Sequence, residues 1–180
     1  MPFVDYELLS SKYPTVQMSE AINILKEFDV FHCLLAGSSE RALAVTKRVQ
    51  GLPKDFIKWL QYCDGGVLFD TIMLTTVSFD AELKTTFKTY GEYFKKEFKE
   101  FANIREEWFV FAIAVHSDLY FFDISKNDGK VYQWDIEELI IYAEWESFED
   151  WLIDQINDAI EQIADDNLIP SALKVVVNNE

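Results

Sequence analysis

Histidine and cysteine are almost missing from this chain. Its 180 residues hold two of each: His32 and His116, Cys33 and Cys63. None of them forms a pair at metal-ligand spacing, and adjacent residues such as His32 and Cys33 usually diverge. No metal site and no cofactor are expected. Two reduced, partly buried thiols are the default for a cytosolic protein. Glycine and proline are scarce too, six and four, which excludes collagen-like and linker-like chains. No uninterrupted apolar run approaches the roughly 18 residues that span a bilayer. Met1 to Ser10 carries Asp5 and Glu7 rather than a basic start before an apolar stretch, so no signal peptide is predicted. A cytoplasmic protein without a membrane partner is the expectation.

Positive charge is the other scarcity. Sixteen Lys and Arg face thirty-two Asp and Glu, a net charge of −16. Such a surface repels phosphates and attracts basic partners, so nucleic acid is not an expected ligand. One segment resists that reading: Lys84 to Lys99 interleaves five lysines with Phe87, Tyr90, Tyr93, Phe94 and Phe98. Glu92 and Glu97 dilute it, and it reads best as a solvated helix with its aromatics turned to the core.

What is present is apolar and aromatic. Hydrophobic residues make up 49% and aromatics 16%, enough for one packed domain over residues 1–180 that buries about 70% of its unfolded surface. Met18 to Phe28 has helical periodicity, with Ser19 as N-cap and Ile22, Leu25 and Phe28 on one face. A second helix is predicted to about Arg48, capped by Ser38 or Ser39, with Leu43 and Ala44 inward. Leu52-Pro53 opens a third, since proline fits a first helical turn. Phe56, Trp59, Leu60 and Cys63 lie along it, and Asp64-Gly65-Gly66 is read as its C-terminal stop.

Strands follow at Val67 to Phe69 and Ile72 to Thr76, then a helix over Asp80 to Phe101. Trp108 to Val115 and Leu119 to Ile124 are rich in aromatic and branched residues and read as strands. Asn127-Asp128-Gly129 is a hairpin turn leading into Val131 to Trp134. Ser147 caps a closing helix to about Ala164, whose buried stripe is Phe148, Trp151, Leu152, Ile156, Ala159, Ile160 and Ile163. From Pro170 a tail runs to residue 180, in which Val175-Val176-Val177 suits either an edge strand or a frayed end. Helices, then mostly antiparallel strands, then a helix make an α+β fold with helices packed on one sheet.

Enzymatic signals are weak. His116-Ser117-Asp118 holds the residue types of a hydrolytic triad, but a triad is a matter of geometry and there is no strand–turn–helix nucleophile elbow. Gly65-Gly66 follows a helix and leads into a strand, opposite to a phosphate loop. No catalytic residue is assigned, and an unrecognised hydrolase stays a remote alternative.

Three segments carry a family resemblance. Leu52, Pro53, Phe56, Trp59 and Leu60, followed by Asp64, Gly65 and Gly66, resemble the core signature of the SUKH superfamily, the group that contains the yeast cell-wall assembly regulators. The Asn127-Asp128-Gly129 turn with Val131-Tyr132 is similar to its late hairpin. Ser147-Phe148-Glu149-Asp150-Trp151-Leu152 resembles its closing helix. Together they span residues 52–152 in the family's order; Asp64 stands where the family often has Asn. The resemblance implies a compact α+β fold. For many bacterial members it implies an immunity protein that neutralises a toxin, often a nuclease; for the yeast members, a regulatory interaction role.

One stretch matches that implication in charge. Between Lys130 and Lys174 there is no Lys or Arg, while twelve acidic residues fall there. Asp150, Asp154 and Asp158 are successive i,i+4 neighbours, with Glu161 and Asp165 continuing the stripe, and like charges at that spacing oppose the helix. A basic partner would relieve the repulsion and be drawn in faster. The candidate partner-binding residues are therefore Asp135, Glu137, Glu138, Glu144, Glu146, Glu149, Asp150, Asp154 and Asp158, with Tyr142 or Trp145 as aromatic anchors. The partner expected is a basic protein, a toxin in the leading reading and a regulatory target in the alternative.

Overall fold

Aromatic and branched residues dominate the second half of the chain, and they form a sheet. The computed structural model describes residues 3–13, 15–29, 33–69, 71–74, 103–114, 116 and 118–165. The strands are β1 (Cys33–Ala36), β2 (Cys63–Leu68), β3 (Ile72–Leu74), β4 (Trp108–Ala114), β5 (Leu119–Asp123), β6 (Val131–Asp135) and β7 (Ile140–Trp145). They make one seven-stranded sheet in sequence order, every neighbour antiparallel. The helices are α1 (Tyr6–Ser10), α2 (Val16–Glu27), α3 (Ser39–Arg48), α4 (Lys54–Leu60) and α5 (Phe148–Asp165). This is the α+β architecture the sequence predicts. The expected helix over Asp80 to Phe101 with its lysines, the end of the Ile72 to Thr76 strand, His32, and the tail with Val175 to Val177 lie outside the described residues.

Two apolar clusters sandwich the sheet. On the helix side, Phe56 of α4 sits among four rings, with centroids 5.9 Å from Phe109, 5.3 Å from Phe111, 4.9 Å from Phe122 and 5.2 Å from Phe148. Edge-to-face ring pairs of this kind add to simple area burial. The Leu52–Leu60 signature and the closing helix thus meet in one core, with Trp151 4.8 Å from Phe111 in a T-shaped contact. On the opposite face Trp108, Val110, Ile113, Leu119, Phe121, Tyr132 and Trp134 form the second cluster. All five residues of β5 are buried as a result.

Several local expectations need correction. The helix after Leu52-Pro53 ends at Leu60, and Cys63 starts β2. Gly65 and Gly66 do not cap that helix. They lie inside β2 with φ of 82° and 120°, and a Cβ on Gly66 would stand 2.1 Å from the Cys33 carbonyl oxygen. The glycine is needed for the close approach of β1, not for a helix stop. In α3 the buried pair is Ala42 and Val45; Leu43 is exposed at 54%. The cap of α2 is Thr15, so Ser19 stands within the helix. On α5 Ile160 is only partly buried. Strand β7 is one that the sequence reading leaves unassigned.

Candidate protein-binding surface

The β6–β7 hairpin, α5 and the bend between them carry the nine candidate carboxylates. Aspartate in a turn competes for backbone amides, and Asp135 does so here: its Oδ1 accepts from the amides of Glu137 and Glu138, both at 2.8 Å. The Glu137 and Glu138 side chains are then left exposed at the tip, with no partner among the described residues. Glu144 and Glu146 share Lys130, whose Nζ lies 3.1 and 2.7 Å from them. The basic residue that opens the acidic stretch therefore folds back to offset part of it.

On α5 the carboxylates divide. Ser147 Oγ accepts from the Asp150 amide at 3.0 Å and donates to Asp150 Oδ2 at 2.6 Å, a reciprocal N-terminal cap. Asp154 accepts from Trp145 Nε1 at 2.8 Å. Trp145 is partly buried beside Tyr120 at 6.0 Å, so it serves the core rather than a partner. Burial, then Asp154, then Glu161 push the Asp158 carboxyl up. The predicted stripe thus stores repulsion around Asp158, while Asp150 and Asp154 are engaged in structure. Glu149 faces elsewhere: its carboxyl is pushed up by burial, then by Asp55, against a downward pull from Lys58 on α4.

A residue that sequence reasoning missed holds this region in place. Asp55 Oδ2 accepts from the amides of Phe148 at 3.0 Å and Glu149 at 3.3 Å, and Oδ1 from its neighbour Phe56 at 2.9 Å. An aspartate on α4 thereby caps α5 across 93 residues of sequence. Nothing local to α5 announces this; an acid two positions after the proline of an otherwise apolar signature is the only hint.

Beside the carboxylates lies an apolar strip. Ile140, Ile141 and Tyr142 are 51%, 45% and 69% exposed. A register shift between Gln133 and Trp134 leaves Tyr142 as the extra residue of a bulge, since Ala143 pairs with Gln133 and Ile141 with Trp134. A bulge re-aims side chains; here it turns Ile141 toward Trp134, where both line a cleft of about 390 Å³ with Arg105, Trp108, Asp123 and Lys126. The one buried carboxylate in that cleft, Asp123, already accepts from the Ser125 amide and hydroxyl at 3.1 and 2.6 Å. Among the described residues Asp123 is the only carboxylate that lines the cleft, beside Arg105 and Lys126.

The remaining chemistry disperses. His116 is exposed in a turn, and Asp118 accepts from Gln133 Nε2 at 2.9 Å. Ser117 lies outside the described residues. Among the described residues no three His, Cys, Asp or Glu gather into a metal site, and no helix is long and apolar enough to cross a membrane. Both cysteines are free thiols; burial, and then Asp64, push the Cys63 thiol up, which makes it a poor nucleophile.

A comparison with curated proteins returns no match. A family model described as the SMI1/KNR4 family (SUKH-1) matches residues 39–154. That span runs from the first residue of α3 into α5 and includes α4, strands β2 to β7 and every candidate carboxylate except Asp158. It covers well over half of the chain, which therefore belongs to the SMI1/KNR4 (SUKH-1) family.

Proposed function

We propose that this is a non-enzymatic protein-binding domain that acts in the cytoplasm as an immunity protein, neutralising a cognate toxin with a basic surface. Family membership supports a protein-interaction role of the immunity or regulatory type. The observation that carries the finer reading is the pairing of two surfaces. Glu137, Glu138 and Asp158 are exposed carboxylates with no hydrogen-bond or ion-pair partner among the described residues. Glu137 and Glu138 precede the exposed strip Ile140 to Tyr142 in the same hairpin, and Asp158 lies on α5. An apolar centre with a charged rim is how protein interfaces are built, and a toxin that acts on nucleic acid has the basic surface to match.

The test begins with capture of partners from the native source at low salt, followed by an inhibition assay on the captured protein. One dominant basic partner, released by salt and inhibited stoichiometrically, is the expected result. Charge reversal belongs at Glu137→Lys, Glu138→Lys and Asp158→Lys, because Asp150 and Asp154 serve the fold. The triple variant should slow association at least about tenfold and flatten its salt dependence. An unchanged association rate would remove the acidic surface from the mechanism. A partner that binds with no activity to block would make the domain a regulatory one.

A further inference from the structure

The two edges of the sheet are treated differently. Outside β1 the chain returns: Phe3 bridges Leu35, and the Val4 amide donates to the Leu34 carbonyl at 3.1 Å. Strand β7 closes the other end of the sheet order. Among the described residues no backbone hydrogen bond leaves it on the side away from β6. Soluble proteins usually guard such an edge with lysine, proline or an inward charge. Ile140-Ile141-Tyr142-Ala143 has none of these. Its bulge, another common guard, instead presents Tyr142, the most exposed residue of the strip at 69%.

The charges around the edge say what fits it. Glu137 and Glu138 precede the strand, and Glu144 and Glu146 lie at its far end, the latter two only partly offset by Lys130. A second copy pairing antiparallel would set the Glu137–Glu138 end of one strand against the Glu144–Glu146 end of the other. A parallel copy would set each cluster beside itself. Like charges facing across strands are destabilising, so self-pairing is disfavoured.

We infer that β7 accepts an extended segment of the basic partner as an eighth strand, apolar at its centre and carrying Lys or Arg at both ends. The inference rests on the protein-binding reading and adds its mode: main-chain pairing supplies affinity, and the flanking carboxylates select the charge of the guest.

The probe is a synthetic peptide of about ten residues, alternating Val and Thr between paired lysines. A twin is N-methylated at alternate residues along one edge. Binding is followed on the isotope-labelled full chain at low salt by amide shifts and hydrogen exchange. The expected result is saturable binding with slowed exchange confined to Ile140–Trp145. N-methylation and Tyr142→Lys should each weaken it roughly tenfold or more. Equal binding of both peptides, shifts centred on α5, or no binding at millimolar peptide would overturn the proposal. So would a concentration-dependent dimer in sedimentation that Tyr142→Lys abolishes, because the occupant would then be a second copy. The two readings fail separately. A captured partner whose complex leaves the β7 amides unprotected refutes strand addition and keeps protein binding. Peptide docking on β7 without any captured partner does the reverse.

Discussion

Removing the Asp55 carboxylate should loosen α5 from α4 by a predictable amount. The first amides of a helix have no intrahelical acceptor. In α5 those of Phe148 and Glu149 go to Asp55, and that of Asp150 to Ser147. Loss of an N-terminal cap costs about 0.5–2 kcal/mol, and hydrogen bonds to a charged acceptor lie at the upper end of the general range, about 1.5–3 kcal/mol. The second contact is long at 3.3 Å, and water can reach a half-buried site. Asp55 also repels Glu149, which returns a few tenths of a kcal/mol. The net expectation for Asp55→Ala is a loss of about 1.5 kcal/mol, or roughly 3–6 °C in Tm for a chain of this size. Asp55→Asn keeps one carbonyl acceptor and should lose about half as much. The assay is urea unfolding, with the midpoint falling and the slope unchanged. A second readout follows the Glu149 carboxyl by NMR titration: without Asp55 beside it, its pKa should fall. A midpoint shift below about 0.3 kcal/mol, within what a featureless surface change produces, would mean that water replaces the cap and the inter-helix tie is incidental.

Two glycines offer a matched comparison. Gly66→Ala brings a Cβ to 2.1 Å from the Cys33 carbonyl at φ of 120°, while Gly129→Ala meets nothing within 4 Å at φ of 75°. The first should cost more than about 3 kcal/mol, through strain and the forced parting of β1 from β2. The second should cost only the conformational penalty of about 1–2 kcal/mol; equal losses in urea unfolding would refute the close-approach argument. Asp158→Asn should stabilise the protein slightly at neutral pH, by a few tenths of a kcal/mol, because it removes the cost of partly burying the charge and the screened repulsion from Asp154 and Glu161. The sign follows from linkage: a carboxyl whose folded pKa is raised holds its proton better when folded, so its destabilising effect is relieved as pH falls through the folded value toward the unfolded one. The gain over wild type should therefore shrink as pH falls through the folded value and vanish by about pH 3, below the unfolded value, and a gain that persisted there would point to packing instead.

Which parts of the fold could be read from sequence follows from how local each signal is. The α5 stripe is a run of apolar residues at helical period, and Phe148, Trp151, Leu152, Ile156, Ala159 and Ile163 are all buried. The turn at Asn127 and Gly129 has the positive φ of 51° and 75° that those residue types allow. Gly65 and Gly66 mislead because glycine tolerates the same conformations at a helix end and in a strand; only the approach of Cys33, thirty-three residues from Gly66, decides. In α3 the four residues from Ala42 to Val45 are all apolar, and the pair three apart, Ala42 and Val45, lies on the face opposite Leu43 and Ala44, so the local pattern offers both faces. Strand β7 is rich in branched and aromatic residues, but its outward side chains are apolar, so the in–out alternation of a half-buried strand is absent.

The acidic surface shows the same limit from another side. Counting charges treats each carboxylate between Lys130 and Lys174 as equivalent. Hydrogen bonding separates them: Asp135 closes a turn, Asp150 joins a cap, Asp154 holds Trp145, and Glu144 and Glu146 surround Lys130. A carboxylate that accepts structural hydrogen bonds still contributes to the long-range field, because its charge remains. It is a poor contact residue, because a partner must compete with its existing bonds. The candidate site is therefore better described as two functions laid over each other. In the proposed reading all nine carboxylates would steer a basic partner. In the proposed interface the contacts would fall to Glu137, Glu138 and Asp158, which accept no hydrogen bond or ion pair among the described residues, and to Tyr142 on β7. Mutations in the two groups should separate kinetically. Neutralising a steering carboxylate alters the association rate and its salt dependence, while replacing Tyr142 alters the rate of dissociation.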